Sequence, residues 1–233
     1  MIIRLFLLIL IFFQSSKLYT KEIPIIVISA GKSIQSYNAV GTDVEVLTSE
    51  DLEKSEYNFL GDILDNSMPG ANYFQSGGHG TQAGIQLRGL PKRYSTVYID
   101  GVKMSDPSSV SNDFDFNHIL TSQISRVEIL KGNQSSVYGS GAIGGTINII
   151  TKKGDPGFNK DLTYNTGSYG THNFAGSLSG ADEKNNFYFG LERFHTDGIS
   201  AMTHNDEKDR YRNNSLVANY DYKFTNKLNL FFN

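Results

Sequence analysis

The 233-residue chain has no cysteine and no tryptophan, and only five prolines. Without cysteine there can be no disulfide and no thiolate metal centre. The longest apolar stretch, Met1–Phe13, falls well short of the ~20 residues that a spanning helix needs, and no later stretch supplies one. Neither sign of charge dominates: the net charge is −3, which gives a nucleic-acid partner no electrostatic support. No Ser/His/Asp or paired-carboxylate constellation stands out, and His79 has no second His or carboxylate at zinc spacing nearby. The residues therefore argue against an enzyme.

What is present is glycine (23), tyrosine (13) and phenylalanine (15), a composition that tilts toward β-rich structure with many turns. The chain begins with Arg4, an apolar run Leu5–Phe13 and the polar Gln14-Ser-Ser-Lys17, the three regions of a secretory signal peptide in order. Residues 1–20 are read as that peptide, with cleavage between Ser16 and Thr20. Its removal takes away Arg4 and Lys17, leaving 19 basic against 24 acidic residues, or −5. The next segment, residues 21–31, is a short extended stretch containing Ile25, Ile26, Val27, Ile28, Ser29 and Ala30. Such a peptide suits strand addition to a partner's sheet edge, or else serves as the first strand of an ordinary domain.

Downstream, Val44–Leu47 reads as a strand, and Thr48 or Ser49 followed by Glu50, Asp51 and Glu53 marks a helix start. Phe59, Leu60, Ile63 and Leu64 form one helical apolar face, which Pro69-Gly70 ends. Ile85–Gly89 and Thr96–Ile99 read as strands, and Asp100-Gly101 is a hairpin signal. The polar loop Gln75–Gly80 reads as an exposed apex. Arg126–Leu130 and Thr146–Thr151 are two β-branched strands around a glycine-rich loop. Within that loop Gly139-Ser-Gly141-Ala-Ile-Gly144 imitates the G-x-G-x-x-G dinucleotide fingerprint. That fingerprint requires a helix to follow, whereas Thr146–Thr151 reads as strand.

The runs VEILKG and SSVYGSGAIGGTINIITKKG, with MPGANYFQSGGHGTQAGIQLRG and STVYIDGVKMSD upstream, resemble the plug domain of TonB-dependent outer-membrane receptors over most of Glu22–Lys153. Their spacing most resembles the cobalamin receptor branch. The resemblance implies an α+β plug, a mixed small sheet with short helices, at residues 32–153, filling a transmembrane antiparallel β-barrel. It implies that residues 21–31 are the TonB box, with Ile25–Ala30 coupling to the inner-membrane TonB complex. It implies that Arg88 and Lys131 pair with acids on the inner barrel wall, and that plug loops look into the lumen; the ligand-facing candidates are Gln75, Ser76, His79, Lys92, Arg93, Tyr94, Ser108 and Ser109. The implied partners are TonB, outer-membrane lipid in a Gram-negative cell, and a scarce small-molecule nutrient, cobalamin or an iron chelate such as a ferric siderophore or haem.

From Asp161 onward, segments of about ten residues alternate apolar and polar positions, the pattern of barrel strands. Leu162, Tyr164 and Thr166, then Phe174, Gly176 and Leu178, then Phe187, Phe189 and Leu191 are the lipid-facing candidates. The connections Gly167–Thr171, Asp182–Asn186 and Thr225–Lys227 are short, and Thr196–Arg212 is long. Residues 160–233 are thus expected to form four strands and the start of a fifth, the N-terminal part of a barrel, and the chain is expected to be a fragment because even small barrels use about eight strands. A secreted soluble β-rich binding protein is the rival reading. The long loop gathers Asp206, Glu207 and Asp209, oxygen ligands of the kind calcium takes, and calcium-ordered loops are implied here by the cobalamin-receptor resemblance. Lys208, Arg210 and Arg212 interleave those acids, as in an ordinary solvated run.

Overall fold

A computed structural model describes residues 26–27, 35–36, 40–109, 111, 113–202, 204, 207–225 and 228–233. The signal-peptide reading lies outside these residues, as do Ile25, Ile28, Ser29 and Ala30 of the coupling segment. Its two described residues form strand β1 (Ile26–Val27), paired antiparallel with β2 (Gln35–Ser36).

β3 (Asp43–Thr48) runs directly into helix α1 (Ser49–Lys54). Thr48 and Asp51 make the junction as a reciprocal cap: the Thr48 amide donates to the Asp51 carboxylate at 2.8 Å, and the Asp51 amide donates to the Thr48 hydroxyl at 3.3 Å. The Thr48 hydroxyl, which donates to the same carboxylate at 2.6 Å, and the Thr48 amide hold the Asp51 carboxyl below its ordinary pKa. Helix α2 (Leu60–Ser67) buries Leu60, Ile63 and Leu64, the face expected from their spacing. A hairpin of β4 (Ala71–Gln75) and β5 (Ala83–Leu87) follows, then β6 (Ser95–Ile99), β7 (Val102–Met104), β8 (Ile124–Lys131), a one-turn helix α3 (Ser135–Tyr138) and β9 (Gly145–Thr151).

The main sheet has the order β3-β8-β9-β6-β7, with β6 and β9 parallel and the other pairs antiparallel. β8 and β9 are central and almost continuously buried, which accounts for their unbroken β-branched runs. Leu60, Ile63, Ile85, Leu87, Val127, Ile129, Ile147 and Ile149 make the core between this sheet, α2 and the β4–β5 hairpin. The hairpin turn between β6 and β7 has positive φ at both Asp100 and Gly101, 48° and 82°, as a tight primed turn demands. The strand read at Ile85–Gly89 instead ends at Leu87, because Arg88 and Gly89 both turn to positive φ. The fingerprint-like glycines lead into strand β9 and not into a helix. Here glycine is needed for room: a Cβ on Gly145 would meet the Leu130 carbonyl oxygen at 2.4 Å.

The second sheet is an up-and-down meander of β10 (Gly157–Gly167), β11 (Thr171–Ala181), β12 (Asn185–Thr196), β13 (Tyr211–Thr225) and β14 (Leu228–Phe232), all antiparallel in chain order. The lengths of 11, 11, 12 and 15 residues in its first four strands meet the about 9–11 that a tilted membrane-spanning strand needs. Register sets Leu162 opposite Gly176, Leu191 opposite Leu216 and Phe187 opposite Tyr220, so one face is an apolar band. Leu162, Tyr164, Phe174, Leu178, Phe189, Leu191 and Leu216 are exposed on it. The lipid-facing set expected from alternation is the set on this face. The other face is polar and lies against the first domain. The 182–184 turn and the β13–β14 connection fall at the end of the strands opposite the long 197–210 connection, and the short 168–170 turn lies beside the long one, with the Asp197 amide donating to the Tyr169 carbonyl at 2.9 Å.

Candidate functional site: the plug, its docking face and its apex

The polar face of the second sheet presents Asn173, Tyr188, Glu192, Asn219 and Asp221 at every other position of β11, β12 and β13, and the edge of the first domain fits onto it. Asn173 donates to Asn58 at 3.0 Å and to Glu192 at 2.9 Å, and Ser122 donates to the other oxygen of Glu192. Glu192 is 2% exposed, so an ionised carboxylate there depends on these donors. Tyr188 donates to Gln123 at 2.9 Å, and a Cβ on Gly190 would strike the Gln123 side chain. Asn219 donates to the Thr151 hydroxyl and the Lys152 carbonyl, both at 2.8 Å. Lys153 pairs with Asp221 at 2.8 Å, and Gly154 and Asn186 exchange two hydrogen bonds of 2.8 Å. A polar-lined cleft of about 650 Å³ remains where Tyr57, Asn58 and Ser122 face Asp161, Thr163 and Asn165.

At the end of the strands that carries the long connection, an aromatic joint replaces this polar seam. Phe59 meets Phe194 edge-on at 4.9 Å, and His79 stacks on Phe59 at 4.9 Å. Tyr211 donates to the Asn117 carbonyl at 3.2 Å, lies 3.0 Å from His118 Nδ1, and abuts Gly80 so closely that a Cβ there would fall 2.5 Å from its ring. His79 is exposed, as its polar loop leads one to expect, and its ring also lies against Phe59 and Tyr211, with Gly80 letting the backbone come close to the Tyr211 ring.

Burial pushes the His79 imidazole below its ordinary value, with Asp62 pulling weakly the other way. Since the folded pKa is the lower one, the docked loop is fully held above the unfolded value of about 6.5 and weakens as pH falls through the folded pKa. The expected result is that amides 76–81 lose protection relative to their intrinsic exchange rates on acidification, and that His79→Gln removes this dependence. Protection that is flat in both proteins would leave the stack without a role in holding the loop.

The remaining apex residues are partly committed to one another. Lys92, in a 3₁₀ turn with Arg93 and Tyr94, pairs with Asp113 at 2.8 Å, and Ser109 donates to the same carboxylate. Burial alone would raise the Asp113 carboxyl, but these two donors outweigh it and hold it low. Ser108 donates through its amide to Asp106 at 2.9 Å, and Gln75 donates to the Gly78 carbonyl at 2.7 Å. The Ser76 amide closes the loop onto Gln82 at 3.0 Å. Arg93 is exposed and lies over the Tyr94 ring at 4.9 Å.

Arg88 and Lys131 find their acids inside the first domain rather than on β10–β14. Arg88 pairs with Asp43 at 2.7 Å, and Lys131 donates to Glu45 and to the Pro69 carbonyl. The physical reason is proximity: β3 is hydrogen-bonded beside β8, with Asp43 directly opposite Lys131. The Arg88–Asp43 pair is half-exposed, so Arg88→Ala should lower stability by no more than about 1 kcal/mol. A loss of several kcal/mol in denaturant unfolding would point to a second, buried partner.

Of the three calcium candidates, Glu207 and Asp209 are among the described residues. Asp206 lies outside the described residues, and Asp209 accepts the Ala201 amide at 2.8 Å. Asp197, in the same loop, is taken by Lys208 at 2.9 Å and approached by Arg210 at 3.5 Å, and these cations hold its carboxyl low. Among the described residues no three metal-ligating side chains converge.

An α+β domain seated on the polar face of a meander whose other face is an exposed apolar band has the architecture of a plugged barrel. Residues 37–146 match the family described as the TonB-dependent Receptor Plug Domain. Among solved structures, the chain is similar to the siderophore receptor PirA from Pseudomonas aeruginosa, at 28% identity and TM-score 0.57 over 78% of this chain and 31% of that one. It is similar to the ferric enterobactin receptor PfeA of the same organism at 23% identity and TM-score 0.64, over 81% and 32%. It is also similar to the pyoverdine outer membrane receptor FpvA of that organism, at 18% identity and TM-score 0.74, over 88% and 29%. The chain thus spans about a third of the length of the receptors it matches. These findings show the fold of a plug domain followed by the first strands of a barrel.

Proposed function

We propose that this chain is the plug and first barrel strands of an outer-membrane transporter that imports a scarce metal-bearing nutrient under TonB control, and that the nutrient is a ferric siderophore. The observation that carries the transport reading is the docking seam, in which a buried, hydrogen-bonded plug edge occupies the lumen side of strands whose other side is apolar. A secreted soluble binding protein has no use for the exposed Leu162, Phe189, Leu191 and Leu216 band. The siderophore assignment is favoured by the likeness to PirA. The cobalamin assignment rests on the spacing of the plug motifs alone.

In this reading the ligand settles on the apex formed by Gln75–His79, Lys92–Tyr94 and the 105–113 loop, and TonB takes the Ile25–Ala30 segment by strand addition. Binding of ferric enterobactin, ferripyoverdine and cyanocobalamin to the full-length receptor tests the ligand. Saturable uptake of a ferric siderophore that stops without TonB is the expected result. Uptake of cyanocobalamin alone would reverse the ligand assignment, and binding of none would remove both.

A further inference from the structure

Arg88 and Lys131 both reach one strand, β3, which lies at one edge of the main sheet and is bonded within it to β8 alone. It is also the first strand of that sheet after the coupling segment. Its apolar attachment is divided. Leu47 enters the main core, while Val44 meets Leu130 in a small separate cluster with Val40 and Val46. The two acids that receive the cations, Asp43 and Glu45, sit at the leading end of β3, which a pull from residue 27 loads first. Arg88 is held for this contact in a left-handed conformation, φ 53°, uncommon for a residue other than glycine. Its guanidinium passes over Gly132, where a Cβ would come within 3.3 Å of Nη1.

We propose that Arg88–Asp43 and Lys131–Glu45 form a clasp that sets the load at which β3 peels from β8, so that tension on the coupling segment opens the plug along this seam. The inference rests on the coupling reading above. A strand pulled from its end parts from its neighbour one pair at a time, so the first pairs bear the load. The clasp sits on those pairs. Lys131 is 6% exposed and bears more of it than Arg88, whose half-exposed pair is screened by solvent.

Force spectroscopy on the full-length receptor in a bilayer, pulled from its N-terminus, tests the clasp itself. Beyond the two-residue β1–β2 pairing, the first rupture should release the chain through Thr48, at a force lowered by Lys131→Met and less so by Arg88→Ala. A first rupture elsewhere, or an unchanged force in both variants, overturns the proposal. The link to transport is tested by Val44→Cys with Leu130→Cys, which face each other across the two strands in a chain with no other thiol. Uptake should be lost when the pair is oxidised and return on reduction, with ligand binding retained throughout. Equal uptake in both redox states overturns it. A receptor that takes up nothing even when reduced counts against the transport reading, and the rupture measurement still decides the clasp.

Discussion

Val27→Pro in the full-length receptor is expected to abolish TonB-driven uptake while leaving ligand binding close to wild type. The described part of the coupling segment is extended, with Ile26 and Val27 paired to Ser36 and Gln35. Strand addition works through backbone hydrogen bonds, and proline removes the amide donor and restricts φ, so neither β2 nor an incoming strand can bond there normally. The apex residues proposed for the ligand lie in other loops, which is why binding should survive. Uptake of labelled ferric siderophore, measured beside its binding to isolated outer membranes, separates the two steps. Uptake at the wild-type rate would remove Ile25–Ala30 as the coupling segment.

The second large effect is expected at Glu192. Glu192→Ala withdraws the acceptor for Ser122 and Asn173 at the centre of the docking seam. Hydrogen bonds to a charged group contribute about 1.5–3 kcal/mol each, and their donors would be left facing a void. Asn173 would keep its bond to Asn58, and the flanking Tyr188–Gln123 and Asn219–Thr151 contacts would hold the plug in place but loosely. The expected outcome is raised ion conductance of the receptor in planar bilayers, with Glu192→Gln intermediate because its amide still accepts a bond. Conductance as low as wild type in Glu192→Ala would show that the seam does not depend on this carboxylate.

Much of this architecture was legible in local pattern. The alternation of Leu162, Tyr164, Phe174, Leu178, Phe189 and Leu191 identified the exposed apolar face, because side chains in a strand point to opposite sides in turn and a register is common to all neighbours. The strand after the glycine loop excluded a dinucleotide site for the same kind of local reason. The docking residues were less visible. Glu192 and Asn173 stand at polar positions of alternating strands, which says that they face inward and nothing about what they meet. Ser122, Gln123 and His118 carried no signal, since their partners are 70, 65 and 93 residues away.

The sequence by itself determined the strands, their turns and the sides they present, since these follow from periodicity, turn chemistry and backbone sterics within a few residues. It also excluded disulfides within these 233 residues. The tertiary structure alone decided which charges neutralise one another. Arg88 and Lys131 meet Asp43 and Glu45 because the fold brings β3 beside β8. It also decided that His79, a lone histidine among glycines, lies against Phe59 and Tyr211. Pairing of charges and stacking of rings depend on distance in space, and distance in space between residues far apart in the chain is set only when the two sheets have come together.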